Sequence, residues 1–443
     1  MPIPFIISAL YHGLPPWFPD PWLLLKCGSA VGVLGLIKRY TSGAISLAER
    51  DMHGRVVLIT GGTSGIGAAM AHELARRGAQ LVLLTRHAPT DPFLVEFVDD
   101  LRARTANDLV YAEQVDLASL HSIRRFATRW IDNAPPRRLD ALVLCAATQA
   151  PPGTPRPVHT PDGVEATCMI NYLANFHLLG LLSPAIRAQP FDRDVRIILP
   201  TCTAYAAAQD PLRMADPTPG PARWSPAQAY ARSKFALLAF GHAYQKHLDA
   251  HKRPDGLPNN ARVVFADPGL ARTPGTRRWL TRGTLLGLLL YLVLWPLAWL
   301  LLKSARMGAQ SLLFAAMDAG LGHGVGGRMI KECIEVDVAR KDVKDPELAK
   351  KLWEWSDKYI EDREKEAART RARSKKEEAD QERRAREEAE KREKLEEIES
   401  LVGTIRKGKE KQAAQKATKA TKAKKGQKLF TSKEAKARGT STQ

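Results

Sequence analysis

The stretch RVVLITGGTSGIGAAMAHELARRGAQLVLLTR, Arg55 to Arg86, contains a strand, a glycine-rich turn, a helix and a second strand in unbroken succession. Val56 to Ile59 are all aliphatic, the pattern of a short strand buried on both faces. The turn from Thr60 to Gly67 then runs straight into a helical pattern that extends to about Arg77. That order sets helix N-terminal amides where they can hold a pyrophosphate. Gly61 permits the sharp turn, Gly65 lets backbone approach the phosphates, and Gly67 lets helix pack on strand. Such turns also serve as plain connectors, so the strand-helix-strand context carries the reading.

Outward from this unit, residues 51 to about 345 alternate short aliphatic runs with longer helical patterns. The alternation predicts an α/β fold: a Rossmann-type, doubly wound parallel sheet with helices on both faces. The chain of 443 residues is long enough for one large domain plus appendages, and 44% hydrophobic content allows a substantial core. Four regions are expected: 1–50, an N-terminal membrane anchor or interfacial segment; 51–362, the catalytic domain; 363–403, a charged helix; and 404–443, a disordered basic tail. The formal charge of +19 is concentrated at the end, where 13 Lys/Arg face 2 acids from Thr404 onward, so the folded part is only mildly basic. Five cysteines without paired or metal-like spacing argue against a disulfide framework and a zinc site, and no metal is expected.

The spacing G-x-x-x-G-x-G resembles the short-chain dehydrogenase/reductase family, and the resemblance covers almost all of residues 51–362. It implies that Gly61, Thr63, Ser64, Gly65, Ile66 and Gly67 form the cofactor turn. DLASLHSIRRFA resembles the family's adenine-side segment, with Asp116 meeting the adenine ring. TPDGVEATCMINYLANFHLL is similar to the fourth-helix segment of the retinol dehydrogenase-like subgroup and supplies Asn171, which in the family positions a water of the proton relay. YARSK supplies the Tyr-x-x-x-Lys pair, Tyr230 and Lys234, the latter also holding the nicotinamide ribose. DPGLART resembles the Pro-Gly segment, with Pro268, Gly269 and Thr273 at the nicotinamide carboxamide or diphosphate. KSARMGAQSLLFAAMD and LWEWSDKYI have counterparts in the same subgroup.

Residues four apart share a helix face, so the Tyr230 phenol and the Lys234 ammonium are expected to project into one cleft. The ammonium is expected to draw the phenol pKa down toward a range useful for proton transfer. Two departures from the family stand beside this pair. In RIILPTCTAY, Arg196 to Tyr205, an ungapped alignment sets Thr201 on the family's first serine and Cys202 on its catalytic second. A thiol is a weak donor. Three readings follow: Thr203 replaces the hydroxyl through a shifted turn, Cys202 suffices for an easily reduced substrate, or the protein binds dinucleotide without catalysis and acts as a membrane scaffold. In LDALVLCAAT, Leu144, Cys145, Ala146 and Ala147 stand where the family has Asn-Asn-Ala-Gly, leaving room for cofactor but removing polar groups.

At the end of the second strand, Thr85 and Arg86 stand where an NAD-preferring protein usually carries an acid. Arg86 can pair with a 2′-phosphate, so NADP(H) is expected over NAD(H). TLLGLLLYLVLWPLAWLLL, Thr284 to Leu302, is nearly long enough to span a bilayer, but Pro296 interrupts it inside the catalytic domain. It is read as a flap dipping into one leaflet, with a full span as the alternative. Near the N-terminus, FIISAL and the later WLLLKCGSAVGVLGLIKRY lack an upstream basic region and do not read as a cleaved signal. The expectation is a membrane-associated oxidoreductase acting on a lipophilic alcohol, ketone or aldehyde. Its catalytic domain would face the cytosol, at the endoplasmic reticulum or lipid droplets. The basic tail would favour an anionic leaflet, with nucleic acid as the weaker alternative. Family members often dimerise through the helices bearing Asn171 and Tyr230, which makes a homodimer an expectation to test.

Overall fold

The computed structural model describes residues 20–210 and 224–437. FIISAL and the last six residues of the tail lie outside the described residues. The elements in chain order are α1 (Pro21–Ser42), β1 (Val56–Thr60), α2 (Gly65–Arg76), β2 (Gln80–Thr85), α3 (Pro92–Thr105), β3 (Val110–Gln114), α4 (Leu120–Ile131) and β4 (Ala141–Leu144). A π-helical turn (Met169–Leu173) then leads into α5 (Ala174–Arg187), followed by β5 (Val195–Pro200), a short 3-10 turn (Thr203–Ala207), α6 (Pro226–Ala250) and β6 (Ala261–Asp267). The last group comprises α7 (Pro274–Leu280), α8 (Leu285–Val293), α9 (Trp295–Leu301), α10 (Ala305–Met317), β7 (Arg328–Lys331), β8 (Ile334–Val336) and α11 (Pro346–Ala437).

The eight strands form one sheet in the order β3-β2-β1-β4-β5-β6-β7-β8, parallel except for the β7/β8 hairpin. The strand order reverses between β1 and β4, each wound in opposite directions from that point. In such sheets ligands bind beyond the carboxyl ends of the strands at the reversal. Alternation along β1 explains the layering: Val56 and Leu58 enter the core on one face, Val57 and Ile59 the core on the other. The first face packs α4, α5 and α6; the second packs α2, α3 and α10. Residues through Lys365 form one compact unit, and residues from Glu366 form a second.

Residues 273–302 leave the domain and return to the same place. Ala271 and Lys303 form a parallel bridge, with Arg272 N donating to Lys303 O at 2.8 Å and Lys303 N to Leu270 O at 2.9 Å. Within the excursion, α8 and α9 have 9 and 7 residues and meet at Leu294. At 1.5 Å per residue neither reaches half of a hydrocarbon core about 30 Å thick. The two ends being tied, Thr284 to Leu302 makes no single crossing. Among the described residues, the one helix long and apolar enough to span a membrane covers Ala166–Arg187, and 72% of its apolar window is buried in the fold.

The tail differs from the expectation of disorder from 404 onward, because α11 continues without a break to Ala437. Its Ala, Lys, Gln and Glu content is rich in strong helix formers, and there is no proline after Pro346. The start of α11 is also the cover of the α5/α6 face. Trp353 lies 5.3 Å from Phe176 and 5.5 Å from Phe240, and the buried Tyr172 hydroxyl meets Ser356 Oγ at 2.7 Å. The start of α11 thus packs against part of the α5/α6 face.

Candidate active site

The expected residues fall on successive strand ends. Thr60 to Gly67 follow β1, Arg86 follows β2, Asp116 follows β3, Cys145 to Ala147 follow β4, Thr201 to Thr203 follow β5, and Pro268 and Gly269 follow β6. The two threonines and the cysteine that follow β5 thus lie at the same carboxyl edge of the sheet as these other segments.

The phosphate turn is as tight as its glycines imply. Gly61 adopts φ +67°, and a Cβ there would lie 2.9 Å from the Ala146 Cα. A Cβ on Gly67 would lie 2.3 Å from the Gly61 carbonyl oxygen, so Gly67 is needed by the turn itself rather than by strand packing. Beside Gly65, a Cβ would touch the Thr273 methyl at 3.2 Å, which brings the Pro-Gly segment against the turn. Thr273 caps α7, accepting from Thr276 N at 3.2 Å. Ser64 precedes α2 in extended conformation, and its side chain makes no capping bond. Thr63 and Ile66 are partly exposed along the same lip. The leading amides of α2 are thus presented toward the crevice, and the residues fit a dinucleotide.

Arg86 is exposed and makes no ion pair among the described residues. Its carbonyl accepts from Gln114 Nε2 at 3.3 Å. Asp116 is half-buried, receiving the Ala118 amide at 2.9 Å while its own amide donates to Ser122 Oγ at 3.0 Å.

Three residues meet at the reacting end. Cys202 Sγ lies 3.6 Å from the Tyr230 phenol oxygen. Lys234 Nζ stands 5.8 Å from the Tyr230 ring centroid and donates to the carbonyl of Pro200 at 3.1 Å. Burial of both side chains outweighs the attraction expected between them. Burial first, then the Cys202 thiol and the Asp267 carboxyl, push the Tyr230 phenol up, and burial draws Lys234 down. The expected lowering of the phenol pKa by Lys234 is therefore reversed. Burial thus favours the protonated form of this phenol.

The three β5-end candidates separate. Thr201 is 2% exposed, and its hydroxyl has no hydrogen-bond partner among the described residues. Thr203 is exposed, opens the 3-10 turn, and makes no side-chain hydrogen bond among the described residues. Only Cys202 reaches the phenol. Asn171 sits in the π-turn that precedes α5, a distortion frequent at functional sites. Its amide is fully engaged: Oδ1 accepts from Thr148 N at 2.7 Å, and Nδ2 donates to Thr148 O at 2.9 Å and Ser233 Oγ at 3.1 Å. Ser233 Oγ in turn donates to Tyr230 O at 2.8 Å. Asn171 thus ties the exit of β4 to the helix bearing the phenol.

Sequence reasoning passed over Asp267, which ends β6, is 2% exposed and accepts from Gly269 N at 2.9 Å. Burial raises its carboxyl pKa. The signal available was an acid directly before the Pro-Gly pair. Cys145 lies near enough to Lys234 to feel its charge, yet burial dominates and pushes its thiol up to about 11. It is inert as a nucleophile.

A nucleotide-cradling turn, a phenol and an ammonium at the reversal of a doubly wound sheet define a nicotinamide-dependent oxidoreductase. The sequence pattern of the short chain dehydrogenases matches residues 55–198. An uncharacterized oxidoreductase of Schizosaccharomyces pombe is 41% identical over 79% of this chain and 93% of its own length. Polyprenol dehydrogenase of Mus musculus is 34% identical over 74% of this chain and 90% of its own, and retinol dehydrogenase 13 of the same species 30% over 75% and 92%. The crystal structure of an uncharacterized protein from Mycobacterium paratuberculosis superposes with a TM-score of 0.51 at 25% identity, covering 72% of this chain and 98% of that one. The chain belongs to the short-chain dehydrogenase/reductase family, in its retinol dehydrogenase-like subgroup, and is an oxidoreductase acting on CH–OH groups.

Proposed function

We propose that this protein is a membrane-associated, NADP(H)-dependent enzyme that interconverts a long lipophilic alcohol and its carbonyl compound, with Tyr230 as the proton donor and acceptor. The observation that carries it is the buried Tyr230 phenol, with Cys202 at 3.6 Å and Lys234 over its ring, at the end of the sheet that cradles a dinucleotide. A nicotinamide cofactor bound there would supply or accept the hydride. Tyr230 gives its proton to the developing alkoxide oxygen in reduction and takes it back in oxidation. Lys234, anchored on the Pro200 carbonyl, faces the phenol and stabilises the phenolate once the proton has left. Cys202 orients the phenol, and the unpartnered Thr201 hydroxyl is a further donor lining the same strand end. Arg86, free of any carboxylate among the described residues, is placed for a 2′-phosphate.

The lipophilic substrate is supported by the apolar surface around the excursion and by relatives named for polyprenol and retinol. Leu285, Leu286 and Leu289 of α8 are 87%, 78% and 60% exposed, and α1 presents Trp22, Leu25, Val31 and Leu36 in the same way. These two apolar segments are joined: Lys38 Nζ donates to the carbonyls of Trp299 at 2.7 Å and Leu302 at 3.1 Å, and Thr41 Oγ1 to that of Leu300 at 2.6 Å. One helix thereby caps the C-terminus of the other. Exposed apolar surface on this scale marks a lipid or protein contact. Lying in one leaflet, with the domain on the cytosolic side of the endoplasmic reticulum or of a lipid droplet, it would admit substrate from the membrane. The test is NADPH and NADH affinity together with turnover on lipophilic aldehydes and ketones in detergent. Tight binding with no turnover, unrescued by Cys202→Ser, would refute the enzymatic reading.

A further inference from the structure

Beyond Glu366, α11 is polar on nearly every face, with one exception. Leu395, Ile398, Leu401, Val402 and Ile405 are 59%, 57%, 56%, 45% and 59% exposed. Leu395, Ile398, Val402 and Ile405 follow each other at steps of three, four and three, so they share one stripe of the helix. The stripe is symmetric about position 400: Leu395 and Ile405 are equidistant from it, as are Ile398 and Val402. Charge inverts at the same point. Residues 377–399 hold 11 acids and 6 Lys/Arg, whereas the equally long 401–423 holds 1 acid and 7 Lys/Arg.

We propose that this stripe pairs with the same stripe of a second copy, antiparallel and centred on Ser400. Antiparallel pairing sets Leu395 against the partner's Ile405 and Ile398 against the partner's Val402, and lays each acidic arm along a basic one. Parallel pairing would oppose acid to acid and base to base, which is unfavourable along the whole length. A lipid surface offers no counterpart for the acidic arm. Four apolar layers are short for a coiled coil, so the arms' charges set the orientation and make the dimer concentration-dependent and weaker at high salt. This self-association uses a surface remote in sequence from the α5/α6 face, which Trp353 covers.

The full-length protein in detergent is measured by light scattering over a range of concentrations at low and high salt, then cross-linked with a lysine-reactive reagent and mapped. Lys376 and Lys424 lie 48 residues apart on one helix, about 72 Å, beyond the reach of such a reagent within one chain. Antiparallel pairing brings them to the same level on two chains. The expected result is a dimer with Lys376–Lys424 links, its dissociation constant raised about ten-fold or more by Ile398→Asp or Val402→Asp. Those exposed substitutions are checked for unchanged helicity and nucleotide affinity, and Lys407→Gln, on the opposite face of the helix from the apolar stripe, is the control and leaves the dimer in place. A monomer at all concentrations, Lys376–Lys376 links, or a dimer indifferent to both aspartates overturns the proposal.

Discussion

Cys202 Sγ sits 3.6 Å from the Tyr230 hydroxyl oxygen and donates toward it. A thiol is a weaker donor than the serine hydroxyl that the resemblance to the family aligns with it. Cys202→Ser is therefore expected to raise kcat by about ten-fold, or about 1.4 kcal/mol, a part of the few kcal/mol of barrier that a full site donor is commonly worth. Cys202→Ala is expected to lower it, and Thr203→Val to leave it unchanged. Steady-state kinetics with the best carbonyl substrate check all three.

The pH profile follows from the raised phenol pKa. Reduction uses the protonated phenol, so its rate is expected to stay level well into the alkaline range. Oxidation needs the phenolate and is expected still to be rising at the ordinary tyrosine pKa of 10. Paired profiles of kcat in the two directions, up to the limit of protein stability, give the check.

Arg86→Glu is expected to weaken NADPH about a hundred-fold while affecting NADH far less, because the 2′-phosphate would lose a cation and face an anion. Fluorescence titration with both nucleotides measures the ratio.

Trp353 fills the gap between Phe176, Phe240 and Tyr244. Trp353→Ala is expected to cost about 3 kcal/mol of stability through the cavity it leaves. Denaturant unfolding of the variant against the parent chain tests this, and Trp353→Phe is expected to recover most of the loss.

The fold was legible because glycine spacing and aliphatic runs are local signals: Arg55 to Arg86 alone specify β1, α2 and β2 within a residue or two. Most of the motifs singled out in the sequence lie at strand ends, and Asn171, Tyr230 and Lys234 lie on helical segments beside them. What the sequence could not supply was distance and burial. The contact of Cys202 with the phenol, the full engagement of the Asn171 amide by Thr148 and Ser233, and the upward shift of Tyr230 all depend on packing between segments far apart in the chain. The fate of Thr284 to Leu302 likewise turned on the Ala271/Lys303 bridge, which no hydropathy pattern contains. The helix from 404 to 437 was missed because a low-complexity Lys/Ala pattern lacks an apolar stripe yet has strong helix propensity.

The most direct measurement is turnover and NADPH affinity of Tyr230→Phe beside the parent protein, on lipophilic aldehydes and ketones in detergent. Loss of turnover by about a thousand-fold or more, with nucleotide affinity unchanged, is the expected result for the proton donor. Turnover retained in Tyr230→Phe would contradict it and leave the Cys202 and Thr201 side chains to be examined as the source of the proton.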